Sequence, residues 1–355
     1  MRRTSHHDAV RTGRLAVAVA ALSLVTALGA ALPAGAATTV PPAPVTTTAP
    51  PTVDAVAGRL LARGARAVSL AVWRNGRYVV NQSWGKAEPS SRYQLASISK
   101  LLTAAAVHRL AAQGVVQLDG PVLPALRALG VRASSGWEGV TVRHLLTHTS
   151  GTNTNDWVFF GRWPARTCKA ALDAVMATPP AKAPGTRYRY SNVNYCALGL
   201  YLEVVTGKSF DRAVYDLVLT PAGVFGPHLA KTGVNPRDDV VHPVTPGRRY
   251  LEPLGAAGQW VANPSEVVEV VASFSAAERA AFLSSLPVTK GVYGQGARLN
   301  GDGSWGHTGT LEASRTCVWV EPDGTIWSAM VAGRTPSSGS GLRDLFLPAV
   351  RALAA

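Results

Sequence analysis

The sequence predicts an α+β (mixed α/β) fold in which an antiparallel sheet is flanked by helices and joined to a mainly helical lobe. Two observations lead to this prediction. Short β-hairpin patterns occur near both ends of the folded region, and the segment between them is dominated by helical patterns and long loops. The simplest architecture pairs the two hairpins in one sheet, so that the middle of the chain forms the second lobe.

The N-terminal part of the folded region contains a helical pattern and a hairpin. Residues 53–62 are predicted to form the opening helix. Residues 67–73 and 78–80 have the composition of strands and flank Asn75-Gly76, which is a strong signal for a tight hairpin turn. These elements therefore supply one half of the expected sheet.

The middle of the chain carries apolar residues at helical spacing. We predict helices over residues 97–112, 169–176, 192–205, 210–218, 265–274 and 275–284. The helical lobe is expected to span about residues 91–250, inserted into the sheet lobe. The second hairpin follows, with residues 317–320 and 325–331 flanking Asp323-Gly324, and a last helix is predicted over residues 342–353.

The N-terminus has the pattern of an export signal. Four arginines within the first 14 residues precede an uncharged run, residues 15–32, and an Ala-x-Ala end at residues 34–36. This predicts a cleaved signal peptide over 1–36, the alternative being an uncleaved membrane anchor. A Thr/Pro-rich linker is expected over 37–52 and the folded domain over 53–355. We therefore expect an extracytoplasmic protein, either secreted or in the cell envelope.

Charge and cysteine content limit the other possibilities. The formal net charge is +14, which suits contact with anionic envelope polymers or simply a solvated basic surface. Nucleic-acid binding is not expected, because no binding motif is present. Export permits one disulfide among Cys168, Cys196 and Cys317, and we predict Cys168–Cys196 because it closes the shorter loop. Cys317 is then expected to be a buried thiol, and no metal site is predicted.

Residues 97–100, which read Ser-Ile-Ser-Lys, are the main candidate for chemistry. At the start of a helix, Ser97 and Lys100 lie one turn apart on one face. A desolvated lysine can remove the proton from a serine hydroxyl, because burial favours the neutral amine. The spacing alone is expected about once by chance in a chain of this length. A second copy, residues 83–86, follows a strand-like run with no helix to align its side chains, so we interpret it as a coincidence.

Two further short motifs follow in the sequence. Tyr190 and Asn192 form the chain's one Tyr-x-Asn motif, at the start of a helical run. In one interpretation, Tyr190 exchanges protons with the serine and the leaving group, and Asn192 orients polar groups. In the other, Tyr190 is a packed aromatic side chain and Asn192 caps the helix. His307 and Gly309 precede the last hairpin. In a strand beside the serine, Gly309 is expected to let a substrate approach the backbone, and the N–H of Thr310 to pair with that of the serine as an oxyanion hole.

The ordered motifs Ser-x-x-Lys, Tyr-x-Asn and His-Thr-Gly resemble those of the serine β-lactamase and penicillin-binding superfamily, in particular class C β-lactamases, D-alanyl-D-alanine carboxypeptidases and related esterases. The flanking residues 95–100, 145–151, 184–186 and 190–195 are also similar to that family. The resemblance runs from about residue 67 to the C-terminus. It implies an acyl-serine mechanism without a cofactor, acting on D-alanyl peptides from peptidoglycan, small esters or β-lactams.

The resemblance also implies a role for each motif residue. Ser97 is the nucleophile, and Lys100 and Tyr190 share the acid and base roles, with the first base left open. Asn192 binds the substrate amide or Lys100. The remaining motif residues are Gly309, Thr310 with its oxyanion N–H, and His307 and Thr308, which shape the far wall and help to place a substrate carboxylate. Apart from the resemblance, Arg298 is a candidate partner for that carboxylate. Histidine in the third motif resembles peptidases and esterases more than typical lactamases. We expect a monomer.

Three alternatives remain at this stage. A catalytically silent envelope protein on the same fold is one, since a fold does not fix a function. A zinc site at His144 and His148 is another, although the glutamate of the His-Glu-x-x-His motif is missing. Residues 231–233 read Lys-Thr-Gly and compete with residues 307–309 as the third motif, but a loop-like sequence follows them. An α/β-hydrolase is not favoured, because no Gly-x-Ser-x-Gly occurs.

Overall fold

A computed structural model of the protein describes residues 50–162, 164–231, 240 and 251–353. The predicted signal peptide and most of the predicted linker lie outside these residues, as do Thr232 and Gly233 of the competing Lys-Thr-Gly. Among the described residues, none of the helices combines the length and the apolar character that crossing a membrane requires.

The strands form two antiparallel sheets. In chain order they are β1 (Ala65–Arg74), β2 (Arg77–Gly85), β3 (Tyr93–Gln94), β4 (His228–Leu229), β5 (Trp260–Ala262), β6 (Arg298–Leu299), β7 (Trp305–Leu311), β8 (Ser314–Val320) and β9 (Ile326–Gly333). The main sheet has the order β2-β1-β9-β8-β7-β6, and the small one β3-β5-β4. The N- and C-terminal hairpins therefore meet through β1 and β9, as predicted. Asn75 and Gly76 both have positive φ, as a type I′ turn requires.

The helices fall close to the predicted positions. They are α1 (Val53–Ala62), α2 (Ser99–Ala112), α3 (Leu123–Ala128), α4 (Val142–Leu146), α5 (Trp157–Phe160), α6 (Cys168–Met176), α7 (Asn192–Thr206), α8 (Phe210–Val214), α9 (Leu251–Leu254), α10 (Pro264–Ala272), α11 (Ala276–Leu283) and α12 (Gly339–Ala352). Two predicted helices differ in detail. The helix expected over 97–112 begins with a 3₁₀ turn, Ala96–Ile98, and the one expected over 210–218 continues beyond α8 as a π-helical turn, Tyr215–Leu219.

Both faces of the main sheet are buried along its central strands, whereas the edge strand β2 is largely exposed. Along β1, Val68, Leu70 and Val72 pack with α1 and α12, whereas Ala67 and Ala71 face the larger core shared with the central helices. This alternation follows from the two-residue period of a strand. The mixed α/β fold class, with a helix-flanked antiparallel sheet, is thus confirmed.

Helix α2 lies at the centre of the larger core. Eleven of its 14 residues are buried, on all sides of the helix, as expected for a helix whose small apolar residues leave no polar face. Its first turn is consequently enclosed by α7, by the 3₁₀ turn Gly255–Ala257 and by the turn that contains Ser97. This position places Lys100 where water is excluded.

Candidate active site

Ser97 lies in the 3₁₀ turn that precedes α2 and remains partly exposed, whereas Lys100 in the first turn of α2 is fully buried. Ala96, the residue before the serine, has φ +50°, a left-handed conformation that side chains other than glycine rarely adopt. Such strain is found mainly where the surrounding structure holds a functional residue in place. The sequence gives no sign of this turn, because its local pattern continues that of the helix.

The amine of Lys100 contacts three oxygen atoms. Its Nζ lies 3.0 Å from Ser97 Oγ, 2.8 Å from Asn192 Oδ1 and 2.7 Å from the carbonyl oxygen of Ala257. Burial holds the pKa of Lys100 well below its usual value, and the nearby positive charge of Arg298 lowers it further. Lys100 is therefore biased toward the neutral amine.

The partners of Lys100 fix the direction of its lone pair. An amide oxygen and a carbonyl oxygen can only accept hydrogen bonds. In the neutral amine, the two N–H groups therefore donate to Asn192 and Ala257, and the lone pair faces Ser97 Oγ. This is the arrangement that lets the amine accept the hydroxyl proton of the serine.

Tyr190 is hydrogen-bonded to Ser97, and its ring centroid lies 5.1 Å from Lys100 Nζ. Desolvation raises the pKa of Tyr190 above its usual value, so the phenol keeps its proton at neutral pH. The two candidate bases thus differ: Lys100 is biased toward accepting a proton from the serine, and Tyr190 toward donating or relaying one.

The third motif lies in β7, and its residues separate into two groups. Thr308 and Thr310 line the cavity in front of Ser97. His307 is fully buried and does not line it; its Nε2 is 3.0 Å from the Tyr293 hydroxyl, and its Nδ1 accepts the N–H of Thr308 at 3.0 Å. The sequence analysis expected His307 to shape the far wall of the cavity, and this expectation is wrong. The side chain of His307 points from β7 toward Tyr293 instead.

Gly309 has a different use from the one predicted. A Cβ on Gly309 would collide with the carbonyl oxygen of Leu95 and with Thr316 Oγ1, and would lie 3.1 Å from Ala96 Cβ. The missing side chain therefore makes room for the turn that contains Ser97, rather than for a substrate. This close approach brings β7 against the turn that contains Ser97. The sequence predicts that the N–H groups of Ser97 and Thr310 form an oxyanion hole at this contact.

His148 supports Tyr190 from behind. Its Nδ1 accepts the N–H of Ser191 at 3.2 Å and the side-chain N–H of Asn194 at 3.1 Å, and its ring lies 4.2 Å from that of Tyr190. Burial lowers the pKa of His148, which keeps it neutral. Helix α4 ends at Leu146, before His148, so His144 and His148 are not a pair on one helix. His144 instead belongs to the cap of α4.

The cavity in front of Ser97 has a volume of about 230 Å³. Its lining residues are Ala96, Ser97, Asp156, Phe160, Tyr190, Asn192, Leu254, Ala257, Gly258, Arg298, Thr308, Thr310 and Leu311. Arg298 was proposed from sequence and is present. Phe160 belongs to a run of aromatics that suits either core packing or the lining of a cleft, and it lines the cavity. Asp156 was missed, since nothing in the local sequence marks an isolated aspartate as part of a site.

The predicted disulfide Cys168–Cys196 is present, with the Cα atoms 5.5 Å apart. It joins α6 to α7, and Cys196 lies one turn beyond Asn192 on α7. Cys317 is buried and free, as expected, and burial raises the pKa of its thiol to about 12. The bond therefore fixes a helix that contributes directly to the site.

The second Ser-x-x-Lys does not form a comparable unit. Ser83 lies in β2, and its Oγ is 2.7 Å from Ser69 Oγ rather than near a lysine. Among the residues that the structure describes, no cluster of three or more histidine, cysteine or acidic side chains is arranged for a metal ion.

Comparison with known proteins identifies the family. A profile of the family described as Beta-lactamase matches residues 53–351, and the chain therefore belongs to this family. The resemblance inferred from the motifs is thus confirmed.

A curated relative matches part of the chain. Protein flp of Staphylococcus aureus (strain MW2) is 25% identical over 209 residues, which cover 53% of this chain and 40% of flp. The chain thus spans less than half the length of the curated relatives it matches first.

Two solved structures share the fold. A D-stereospecific amidohydrolase from Streptomyces sp. has a TM-score of 0.67 at 22% identity, covering 82% of this chain and 96% of its own. A β-lactamase/D-alanine carboxypeptidase from Yersinia pestis has a TM-score of 0.69 at 21% identity, covering 84% and 98%. At these identities the likeness establishes the fold alone.

Proposed function

We propose that the protein is a serine hydrolase that cleaves acyl compounds through an acyl-Ser97 intermediate. The observation that carries this proposal is the position of Lys100 Nζ, 3.0 Å from Ser97 Oγ with its other two contacts made to obligate acceptors. A buried amine held in this way is a general base aimed at the serine hydroxyl.

The proposed reaction has two stages. Lys100 removes the proton of Ser97 as Oγ attacks the substrate carbonyl, and the N–H groups of Ser97 and Thr310 stabilise the oxyanion, by about 3–4 kcal/mol per donor in comparable sites. The proton passes from Lys100 through Tyr190 to the leaving group, whose bond to the carbonyl carbon breaks. Water then attacks the acyl-enzyme by the reverse proton path and releases the acid.

The proposed acyl donors are D-alanyl peptides, small esters or β-lactams, with D-alanyl peptides preferred. Arg298 lines the cavity, and its guanidinium carbon lies 5.5 Å from the centroid of the Tyr190 ring. A carboxylate on the leaving group therefore has a cationic partner beside the proposed proton donor. The amidohydrolase and carboxypeptidase among the structural neighbours act on related bonds, which supports this choice.

We further propose that this reaction occurs outside the cytoplasm, on peptidoglycan-derived substrates. The support is the export-like pattern of residues 1–36 in the sequence. A catalytically silent envelope protein is the competing function. A measurement of turnover distinguishes the two functions, because a catalytically silent protein can still bind a ligand.

The test is covalent labelling followed by turnover. A penicillin-type or fluorophosphonate probe is expected to add its mass to Ser97, and Ser97→Ala to abolish labelling. Ser83→Ala is the matched control, because Ser83 belongs to the other Ser-x-x-Lys and should leave labelling unchanged. Turnover is then measured with a D-Ala-D-Ala peptide, a chromogenic cephalosporin and a short-chain p-nitrophenyl ester. Labelling at Ser83, or turnover unaffected by Ser97→Ala, contradicts the proposal; labelling without any turnover favours the silent protein.

A further inference from the structure

The cavity contains a carboxylate that the proposed mechanism does not use. Asp156 immediately precedes α5, and Phe160 follows four residues later; both line the cavity. The one-turn spacing places them on the same face of this short helix. Asp156 Oδ1 is 3.4 Å from Asn192 Nδ2, so the carboxylate adjoins the amide that contacts Lys100. Helix α5 thus presents an acidic and an apolar group beside Asn192.

Asp156 forms no ion pair within hydrogen-bond distance among the residues that the structure describes, although the positive charges of Lys100 and Arg189 lie near enough to act on its pKa. Arg298 lines the same cavity, yet the two side chains do not pair. Asp156 adjoins Asn192, whereas Arg298 lies over the ring of Tyr190. A small cavity therefore displays one negative and one positive group, each next to a different residue of the site. This pattern is complementary to a ligand that carries both charges.

The carboxylate opposes the proposed role of Lys100 as a base. A nearby negative charge stabilises protonated Lys100, and Asp156 has this effect on the lysine pKa. A positively charged group bound to Asp156 would cancel the effect and favour the neutral amine. The acidic residue is thus better explained by a cationic substrate than by support of Lys100 itself.

We propose that Asp156 binds the free ammonium group of the residue whose carbonyl Ser97 attacks, while Phe160 contacts the side chain of that residue. This inference rests on the proposed acyl-serine function and narrows its substrates. The preferred class is short peptides and amides with a free N-terminal amino group, rather than peptides acylated at that nitrogen. No additional bond is made or broken beyond the hydrolysis already described.

The experiment compares two substrates that differ in this group alone. D-alanyl p-nitroanilide carries the ammonium, and D-lactyl p-nitroanilide has a hydroxyl of similar size in its place. The wild-type protein is expected to show a kcat/KM at least about tenfold higher for the alanyl compound, as for a charge-assisted contact in a partly enclosed site. This preference should decline as the pH rises through the substrate amine's pKa, roughly 8, because the ammonium loses its proton.

Asp156→Asn should reduce the alanyl-to-lactyl ratio toward one. Asp344→Asn is the matched control, since Asp344 is exposed on α12 and does not line the cavity; it should keep the wild-type ratio. A wild-type ratio near one, or an equal loss of both activities in Asp156→Asn, overturns the inference.

The labelling experiment separates failure of this inference from failure of the function. Probe labelling at Ser97 with ester turnover, but without a preference for the ammonium substrate, overturns the role of Asp156 alone. Absence of both labelling and turnover overturns the acyl-serine function and the inference together.

Discussion

Replacing Gly309 by alanine tests how the oxyanion hole is built. The added Cβ collides with the carbonyl oxygen of Leu95 and with Thr316 Oγ1. Thr316 lies opposite Gly309 in the β7–β8 pair, and its hydroxyl donates to that same carbonyl at 2.8 Å. The first atom belongs to the backbone, and the second belongs to a β-branched side chain held by this hydrogen bond. To restore ordinary contact distances, β7 and the turn holding Ser97 must separate by about 1 Å.

A displacement of this size is large for catalysis. Misplacing reacting groups by about 1 Å costs on the order of 100-fold in rate, or about 2.7 kcal/mol of transition-state stabilisation. We therefore expect Gly309→Ala to lower kcat/KM for a p-nitrophenyl ester by about 100-fold. The effect should fall mainly on kcat, because the oxyanion contacts strengthen in the transition state.

The assay is ester hydrolysis together with the rate of probe labelling at Ser97, both normalised to folded protein by near-ultraviolet circular dichroism. Gly301→Ala is the control, because a Cβ there meets nothing within 4 Å and Gly301 lies in the turn before β7. Folded Gly309→Ala with activity within twofold of wild type would refute the assigned contact. Equal losses in both variants would show a general intolerance of alanine in this region.

Three further predictions concern the base, its support and the disulfide. The acylation rate should rise as the pH increases through the pKa of Lys100, which lies below its usual value, because the neutral amine is the active form. Lys100→Arg should lower this rate by about 10²- to 10⁴-fold at every pH. A wild-type acylation rate that does not depend on pH contradicts this prediction. His148→Phe keeps a ring against Tyr190 but leaves buried N–H groups without an acceptor, so urea unfolding should show a loss of about 1–3 kcal/mol, together with slower labelling; unchanged stability argues against the contact. Replacing both Cys168 and Cys196 by serine opens a loop of 28 residues and should lower the free energy of unfolding by about 3–4 kcal/mol, whereas dithiothreitol should destabilise the wild type but not the double variant.

Local patterns predicted most of the elements because their causes are local. Asn75 and Gly76 set the first hairpin turn through their own backbone preferences, and the opening helix, Val53–Ala62, has the bounds expected from its apolar spacing. The Cys168–Cys196 pairing followed from loop length. Helical spacing also accounts for the proximity of Ser97 and Lys100, which the structure retains although a 3₁₀ turn holds the serine.

The sequence by itself thus determined the motifs, the fold class and the residues that one helix turn or one hairpin brings together. The tertiary structure decided what surrounds them. The carbonyl of Ala257 that orients Lys100 lies 157 residues away, and Asp156 and Arg298 reach the same cavity from separate elements. In the structure, the side chain of His307 is fully buried and faces away from the cavity. Gly309 allows β7 to pack closely against the turn that contains Ser97. Burial and long-range contacts set pKa values and side-chain directions, and neither is encoded in the spacing of neighbouring residues.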